Sequence, residues 1–296
     1  MPKLPKPVLA ALGAVLLATS LTARPIYGSS AFSSNSSKPQ VGSLGYENMG
    51  KPATSLKDLI LTVVYDNNPY GKTLQAAWGF SCVIKGAQKT ILFDTGGDGA
   101  MLLSNMQKLG IDPLEIEAVV LSHIHSDHVG GLAGFLRKNP HVTVYLPKSF
   151  PEDFKNEVKA RNAVVVEITG SAEICRDVYS TGELGTYLEE QSMVVATAEG
   201  AIVVTGCAHP GIVRIVEEAG KMTSGNVRLV LGGFHLLGET RPGIEKTISR
   251  FKALKVAHVG PCHCSGDLAR ELFHRAWGKN YLEVGVGRVI RMRDLE

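Results

Sequence analysis

The sequence predicts an α/β protein in which two β-sheets pack face to face and helices cover the outside. From residue 59 onward, short β-branched runs are separated by glycine-marked turns or by segments of helical periodicity. The two halves of this region resemble each other in order, since each begins with strands and continues with β-α alternation. Two facing sheets with helices outside would bury both patterns.

The first half supplies the first sheet. We predict strands over residues 59–65, 80–84, 90–93, 118–121, 142–146 and 164–168, and helices over 100–109 and 151–160. The turn at 86–88 joins the second and third strands as a hairpin, and the first helix stops at Gly110.

The second half supplies the other sheet. We predict a β-only stretch from residue 178 through 193–196 to 201–204. Helices over 212–222, 243–254 and 267–277 then alternate with strands over 227–231 and 256–259, and a last strand lies around 281–290.

The N-terminus has the pattern of an export signal. Lys3 and Lys6 precede an apolar run over residues 8–17, and small residues follow, with cleavage expected after Ala23 or as late as Ala31. We therefore predict a signal peptide over 1–23, a flexible serine-rich linker over 24–55 and a catalytic domain over 56–296. The protein would be exported to the periplasm or secreted. The alternative is an uncleaved segment that anchors it to a membrane.

Composition limits the partners. The chain has 296 residues, is 44% hydrophobic and 20% charged, and carries a net charge of +3, which removal of Lys3 and Lys6 would reduce to about +1. This balance fits an ordinary soluble domain and does not fit a nucleic-acid binder. We expect a small-molecule substrate and no stable membrane insertion if the signal is cleaved. Oligomeric state is not predictable from these features.

Five cysteines leave at least one thiol unpaired within the chain. Export would permit a disulfide, for which Cys82 and Cys175 are the candidate pair. Cys262 and Cys264 flank a histidine and would point away from it in an extended loop, so we interpret them as packing residues.

The segment LSHIHSDHVGG, residues 121–131, follows a predicted strand and carries three histidines and an aspartate. If the backbone stays near-extended, His123, His125 and Asp127 line one side and His128 the other. Such a strip can serve two adjacent cations, one held by His123 and His125 and the next by Asp127 and His128. The alternative is a solvated histidine-rich loop.

Further histidines follow other predicted strands. Cys207 and His209, His235 and His263 each lie just beyond a strand of the second half. Because loops beyond the carboxyl ends of strands are where α/β proteins build sites, we expect these side chains to converge.

The motif His123-Ile124-His125-Ser126-Asp127-His128, with Gly130-Gly131 after it and Phe93-Asp94-Thr95-Gly96 before it, resembles the signature of the metallo-β-lactamase-fold superfamily. The similarity covers roughly residues 56–296. The segments around Cys207, His235 and His263 resemble the subgroup of 7,8-dihydropterin-6-yl-methyl-4-(β-D-ribofuranosyl)aminobenzene 5′-phosphate synthases. The resemblance implies a four-layer αβ/βα sandwich with two mixed sheets, helices outside and a two-metal site at one edge of the sheets.

The resemblance also implies roles for individual residues. His123 and His125 would bind the first ion, Asp127 and His128 the second, and His263 would be the last family ligand. Asp94 would fix the ligand loop by hydrogen bonds, unless it is only a turn residue before Gly96.

One departure from the family pattern lies between residues 129 and 208, where many members place another histidine and a bridging aspartate. This region contains only His141, at the start of an ordinary strand. We therefore assign the missing first-metal ligand to His209. Cys207 stands at the position of the bridging aspartate, either as a thiolate ligand or as a small buried residue.

These features predict a metal-dependent hydrolase in which two divalent ions, zinc before manganese or iron, activate a hydroxide. Asp127 would orient water or accept a proton. His235 would be a substrate-facing acid or hydrogen-bond donor, or else a structural histidine. The substrate would be an anionic phosphate ester or a lactone, with Arg288 and Arg176 as candidate contacts. The alternatives are the pterin-related transferase of the subgroup and a non-catalytic metal-binding scaffold.

Overall fold

The computed structural model describes residues 57–223 and 225–296. The predicted signal peptide and linker lie outside the described residues. No helix in the described part of the chain is both long enough and apolar enough to span a bilayer.

Seven strands form the first sheet. They are β1 (Ile60–Asp66), β2 (Phe80–Lys85), β3 (Ile91–Phe93), β4 (Ala118–Val120), β5 (Thr143–Pro147), β6 (Val164–Ile168) and the C-terminal β13 (Val289–Arg291). Their order is β13-β1-β2-β3-β4-β5-β6, antiparallel as far as β3 and parallel from β3 to β6.

Six strands form the second sheet. They are β7 (Ala172–Cys175), β8 (Val178–Ser180), β9 (Met193–Thr197), β10 (Gly200–Thr205), β11 (Val227–Gly233) and β12 (His258–Cys262). Their order is β12-β11-β10-β9-β8-β7, parallel from β10 to β12 and antiparallel elsewhere.

Seven α-helices accompany the sheets within residues 57–223 and 225–296. They are α1 (Gly99–Lys108), α2 (Ser126–Val129), α3 (Leu132–Lys138), α4 (Glu152–Ala160), α5 (Ile212–Met222), α6 (Arg241–Ala253) and α7 (Asp267–Trp277). One apolar cluster joins the facing sheets, a second joins the second sheet to α5, α6 and α7, and a third joins the first sheet to α1 and α3. The predicted sandwich of two mixed sheets with helices outside is confirmed.

Strand register determines where the loops of the site emerge. Phe93 and Val120 are the last residues of β3 and β4 and pair with each other, and Val120 also pairs with Tyr145 in the middle of β5. On the other sheet Thr205 pairs with Gly232, and Gly233 pairs with Cys262. The loops beyond β10, β11 and β12 therefore leave the second sheet at matching levels, and those beyond β3 and β4 leave the first sheet together.

Two predicted strands differ from the structure. The last strand is only β13, because residues 281–288 make isolated bridges and include Gly287 at φ 96°. Strand β12 starts and ends later than predicted and continues to Cys262, which brings its end to the edge of the site. Strand β7 was not predicted.

All five cysteines are free, so the candidate disulfide between Cys82 and Cys175 is absent. Both thiols are buried in the core between the sheets, where burial raises the pKa of each. They act as small apolar side chains.

Candidate metal centre

The histidine loop begins where β4 ends, and the neighbouring Gln191 holds its first residues. The Gln191 side-chain amide donates to the carbonyl of Leu121 at 2.8 Å, and its backbone N–H donates to the carbonyl of Ser122 at 2.9 Å. His123 follows with no exposed surface. This anchoring places a buried imidazole at the base of the cleft.

The expectation of an extended loop through residue 128 is wrong. His125 is extended (φ −61°, ψ 142°), but α2 starts at Ser126 and turns the backbone back. Asp127 and His128 therefore face a common point instead of opposite sides. His123 and His125 remain together, with Nε2 of His123 3.1 Å from Nδ1 of His125.

The first histidine group consists of His123, His125 and His209. One ring nitrogen from each lies within 4.8 Å of the others. Nε2 of His209 is buried, and within the described residues it has no hydrogen-bond partner. Three imidazoles with an unpaired buried nitrogen suit a divalent cation, which would supply the missing partner.

The mixed group consists of Asp127, His128, Cys207 and His263. Oδ2 of Asp127 lies 3.5 Å from Nε2 of His128 and 3.4 Å from Nε2 of His263. Sγ of Cys207 lies 3.2 Å and 3.3 Å from the same two nitrogens. Two imidazoles, a carboxylate and a thiol can form a tetrahedral site for zinc.

Hydrogen bonds behind the mixed group fix its imidazoles. Asp94 is fully buried, and its Oδ2 lies 2.7 Å from Nδ1 of His128. Oδ1 of Asn67 lies 3.0 Å from Nδ1 of His263. If each Nδ1–H donates to its partner, each Nε2 presents a lone pair toward Asp127 and Cys207.

Asp94 also holds the loop itself. Its Oδ1 accepts the backbone N–H of Ser122 at 2.7 Å, and its Oδ2 accepts the Ser122 hydroxyl at 2.7 Å. The Ser122 hydroxyl oxygen lies 2.9 Å from Nδ1 of His123. One carboxylate therefore contacts the loop and His128 together.

Burial and neighbouring charges prepare these groups for a cation. Burial, followed by neighbouring imidazoles, lowers the pKa of His123 well below its ordinary value, so its imidazole is neutral near pH 7. Burial raises the pKa of Asp127, but hydrogen bonds from His128 and His263 outweigh burial and hold it below its ordinary range. Burial also lowers the pKa of His128, yet the carboxylates of Asp94 and Asp127 raise it to about 10. The negative charge of Asp94 and Asp127, which favours the protonated form of His128, would also attract a divalent cation.

Glycine lets the two halves approach closely. A Cβ on Gly206, which precedes Cys207, would lie 2.2 Å from Oγ of Ser122. Any larger residue would push the loop after β10 away from the histidine loop. The two sheets can therefore contribute donors to the same groups.

His235 lies at the side of the first histidine group. Its ring centroid is 4.4 Å from that of His209, and a third set of donor atoms within 4.8 Å joins Cys207, His209 and His235. His235 is exposed to solvent and has a left-handed backbone, φ 52°. A hydrogen bond with Cys264 raises the pKa of His235 although burial opposes it. An exposed imidazole at this edge can reach a bound molecule.

The expectation that Cys264 is only a packing residue is wrong. His263 has φ 48° and begins a short 3-10 turn, so the loop is not extended and Cys264 turns inward. Its Sγ donates to the carbonyl of Cys207 at 3.5 Å. The hydrogen bond with Cys264, together with burial, raises the pKa of Cys207. A bound cation would reverse this effect by stabilising the thiolate.

Several residues of the centre were missed from the sequence, namely Glu190, Gln191, Ser122 and Asn67. Glu190 has no exposed surface and accepts backbone N–H groups from the loop after β10. The available signal was four consecutive polar residues, 189–192, directly before an apolar strand.

The structure also shows where three further side chains lie relative to the centre, namely Trp78, Arg288 and Arg176. Trp78 is 49% exposed, and its ring centroid lies 4.8 Å from that of His263, at the mouth of the cleft. Arg288 donates to the hydroxyl of Tyr70, on the same loop as Asn67. The backbone N–H of Arg176 donates to the side-chain oxygen of Gln88, in the turn that joins β2 to β3. This turn lies at the end of the first sheet away from the metal centre, so Arg176 is too remote to contact a molecule bound there.

Comparison with known proteins supports the resemblance to the superfamily. The model of the metallo-beta-lactamase superfamily matches residues 79–217. The solved structure of Tm1679, described as a metal-dependent hydrolase of the β-lactamase superfamily, is 29% identical, with a TM-score of 0.68 over 79% of this chain and 99% of that chain. The chain is therefore similar to the metallo-β-lactamase superfamily in sequence over residues 79–217 and in fold.

Within the superfamily, the chain is similar to 7,8-dihydropterin-6-methyl-4-(β-D-ribofuranosyl)-aminobenzene-5′-phosphate synthase from Methanocaldococcus jannaschii. The two are 29% identical over 281 residues, which is 78% of this chain and 96% of the relative. The fold is also similar to that of the short form of human tRNase Z, with a TM-score of 0.54 and 14% identity over 79% of this chain and 99% of that one. The resemblance found in the sequence motifs is therefore confirmed for the superfamily and the subgroup.

Proposed function

We propose that the protein is a metal-dependent hydrolase of an anionic small molecule, a phosphate ester or a lactone. The observation that carries the proposal is the mixed group, in which Asp127, His128, Cys207 and His263 direct four donor atoms at one point. The adjacent first histidine group offers a second set of donors.

The donor chemistry fits two divalent ions, with zinc favoured. His123, His125 and His209 would hold one ion, and Asp127, His128, Cys207 and His263 the other. The buried unpaired Nε2 of His209 supports a cation in the first group. Imidazole and thiolate ligands favour zinc over magnesium or calcium, with manganese and iron as alternatives. Such ions supply an acidified water and a Lewis acid at neutral pH.

The protein side chains would then divide the remaining work. The side chain of Asp127 is 20% exposed, so its carboxylate can orient water or accept its proton. His235 stands at the exposed edge and can donate a proton to a leaving group. The Trp78 ring lies against His263 and can contact a bound molecule there. The guanidinium of Arg288, beside Tyr70, can attract a negatively charged substrate.

A second candidate is a synthase that joins a pterin to an aminobenzene riboside phosphate. The similarity to the M. jannaschii synthase over 96% of its length favours it. An exported protein would not meet cytosolic pterin intermediates, and we propose export on the basis of the N-terminal signal pattern, with a catalytic domain over 56–296. Release of the intact chain into the cytosol would favour the synthase instead.

Substrate screening tests the proposal. The metal-loaded mature domain would be assayed against phosphodiesters, phosphomonoesters, lactones and thioesters, and separately with an aminobenzene riboside phosphate plus a dihydropterin that carries a leaving group on its 6-methyl carbon. Turnover of a hydrolytic substrate that a chelator abolishes is the expected result. Formation of a pterin adduct without hydrolysis would favour the synthase.

Metal content separates both enzymes from a binding scaffold. We expect two zinc ions per chain by elemental analysis. A protein that binds one ion and turns over none of the substrates would be a scaffold, and the proposal would be wrong.

A further inference from the structure

Glu190 is a buried carboxylate that lies beneath the loop following β10. Its side chain has no exposed surface. Its hydrogen-bond partners in this loop, from Cys207 to His209, lie 17 to 19 positions later in the chain. An isolated buried carboxylate is costly, so the groups that satisfy it indicate its role.

Three consecutive backbone N–H groups converge on this carboxylate. Cys207 and Ala208 donate to Oε1 at 2.9 Å each, and His209 donates to Oε2 at 2.8 Å. Because β10 ends at Thr205, these N–H groups have left the ladder and need another acceptor. Glu190 therefore acts in place of a neighbouring strand, as the hydrogen-bond acceptor for the segment that carries Cys207 and His209.

The same segment contains local backbone strain. Ala208 has φ 65°, a left-handed conformation that costs a residue with a Cβ free energy. The N–H groups on either side of this residue are fixed by Glu190. The carboxylate therefore holds Cys207 and His209 on the two sides of a turn that would otherwise relax.

Glu190 also faces the first histidine group directly. Its Oε2 lies 4.0 Å from Nδ1 of His123, and both side chains are fully buried. The three imidazoles of the first histidine group carry no negative charge of their own when neutral. A buried carboxylate at this distance would stabilise a divalent cation among them, since charges interact strongly where water is excluded.

We propose that Glu190 is a positioning residue of the metal centre, which fixes the loop carrying Cys207 and His209 and supplies negative charge beside His123. The inference deepens the proposed function and rests on it for the presence of cations at the two groups. The Glu190 carboxylate contacts the backbone of Cys207 and His209 but is not a member of either donor group. It acts through the residues that are.

The competing explanation is a buried residue with a role in folding only. Removal of Glu190 would then lower the free energy of unfolding but leave the zinc affinity of the folded molecules unchanged. The two explanations differ in metal binding, so metal affinity is the measurement that separates them.

The experiment compares E190Q with E189Q in the folded protein. Glu189 is the adjacent residue, carries the same charge and is only partly buried, which makes E189Q a matched control. Zinc affinity is measured by competition with a chromophoric chelator, and cobalt spectra report the thiolate ligand. We expect E190Q to weaken the binding of at least one ion by roughly 10- to 100-fold and to alter the cobalt spectrum. E189Q should match the unmodified protein.

Folding is monitored separately by urea unfolding of the metal-free proteins. A folded E190Q that binds zinc like the unmodified protein overturns the inference. If E190Q does not fold, E190D replaces it, because the shorter side chain withdraws the oxygens from all three N–H groups. Undiminished zinc affinity in E190D also overturns the inference. Absence of zinc binding in the unmodified protein would instead defeat the proposed function.

Discussion

Oδ2 of Asp94 lies 2.7 Å from Nδ1 of His128, and both side chains have no exposed surface. The same carboxylate accepts two hydrogen bonds from Ser122 at the start of the histidine loop. A carboxylate in this position orients the imidazole, increases its basicity and holds the loop that carries the other donors.

Asp94→Asn should weaken metal binding about 10- to 100-fold, because the amide is neutral and cannot accept both Ser122 bonds and the His128 proton. Asparagine tolerates the left-handed conformation of Asp94, φ 53°, so the backbone should be retained. Zinc affinity checks the prediction. The matched control is Asp177→Asn, since Asp177 is also buried and has φ 63° but lies in the turn between β7 and β8.

His123→Ala and Asp127→Ala should each abolish turnover of whichever substrate the screen identifies, because each removes a donor from a different group. Both variants should keep a cooperative urea transition. His141→Ala provides the control, since His141 is exposed and precedes β5 at the end of the sheet away from the centre. Activity like that of the unmodified protein in either variant would contradict the assignment.

Removing metal should destabilise the folded protein. A ligand that binds only the folded state stabilises it in proportion to the logarithm of its concentration relative to its dissociation constant, about 2.7 kcal/mol at a hundredfold excess. Thermal unfolding with zinc and with a chelator measures the effect. An identical midpoint in both conditions, over a range of zinc concentrations, would argue against a bound cation.

Acid should destabilise the metal-free protein through its buried histidines. Burial and neighbouring His235 lower the pKa of His209 to about 4. In the unfolded chain this group titrates near 6.5. As the pH falls below about 6.5, the unfolded chain therefore binds protons that the folded protein does not, and the free energy of unfolding decreases toward pH 4.

His209→Gln should reduce this loss of stability between about pH 6.5 and 5, a window in which few carboxylates titrate. Urea unfolding at a series of pH values, with chelator present, measures the slope. His141→Gln should retain the slope of the unmodified protein. Equal slopes in His209→Gln and the unmodified protein would show that His209 does not contribute.

His128 acts in the opposite direction, because its pKa is raised to about 10 in the folded protein. Its protonation therefore stabilises the fold fully below pH 6.5, and this stabilisation is lost as the pH rises toward 10.

Much of the sandwich was predictable because each element carries its own pattern. The helices α5 and α7 have the predicted bounds, since apolar spacing marks both from end to end. The position of His209 and His263 beyond strands was also visible, because β-branched runs precede both.

The remainder depends on contacts that no local pattern reveals. Asn67 and His263 are 196 positions apart, so only the packed sheets bring them together. The inward turn of Cys264 follows from the left-handed conformation of His263, a residue type that gives no warning of it. The start of α2 at Ser126 likewise reverses the side on which Asp127 projects.

The donor sets draw on both sheets, and their members are distant along the chain. His128 and Cys207 are 79 positions apart, and Cys207 and His263 are separated by another 56. In a nascent polypeptide the first histidine group has all its members once His209 is made, whereas the mixed group lacks a donor until His263, in the last β-α unit, is synthesised. A cation held by all four donors of the mixed group could therefore bind only late, after the C-terminal region has joined the rest.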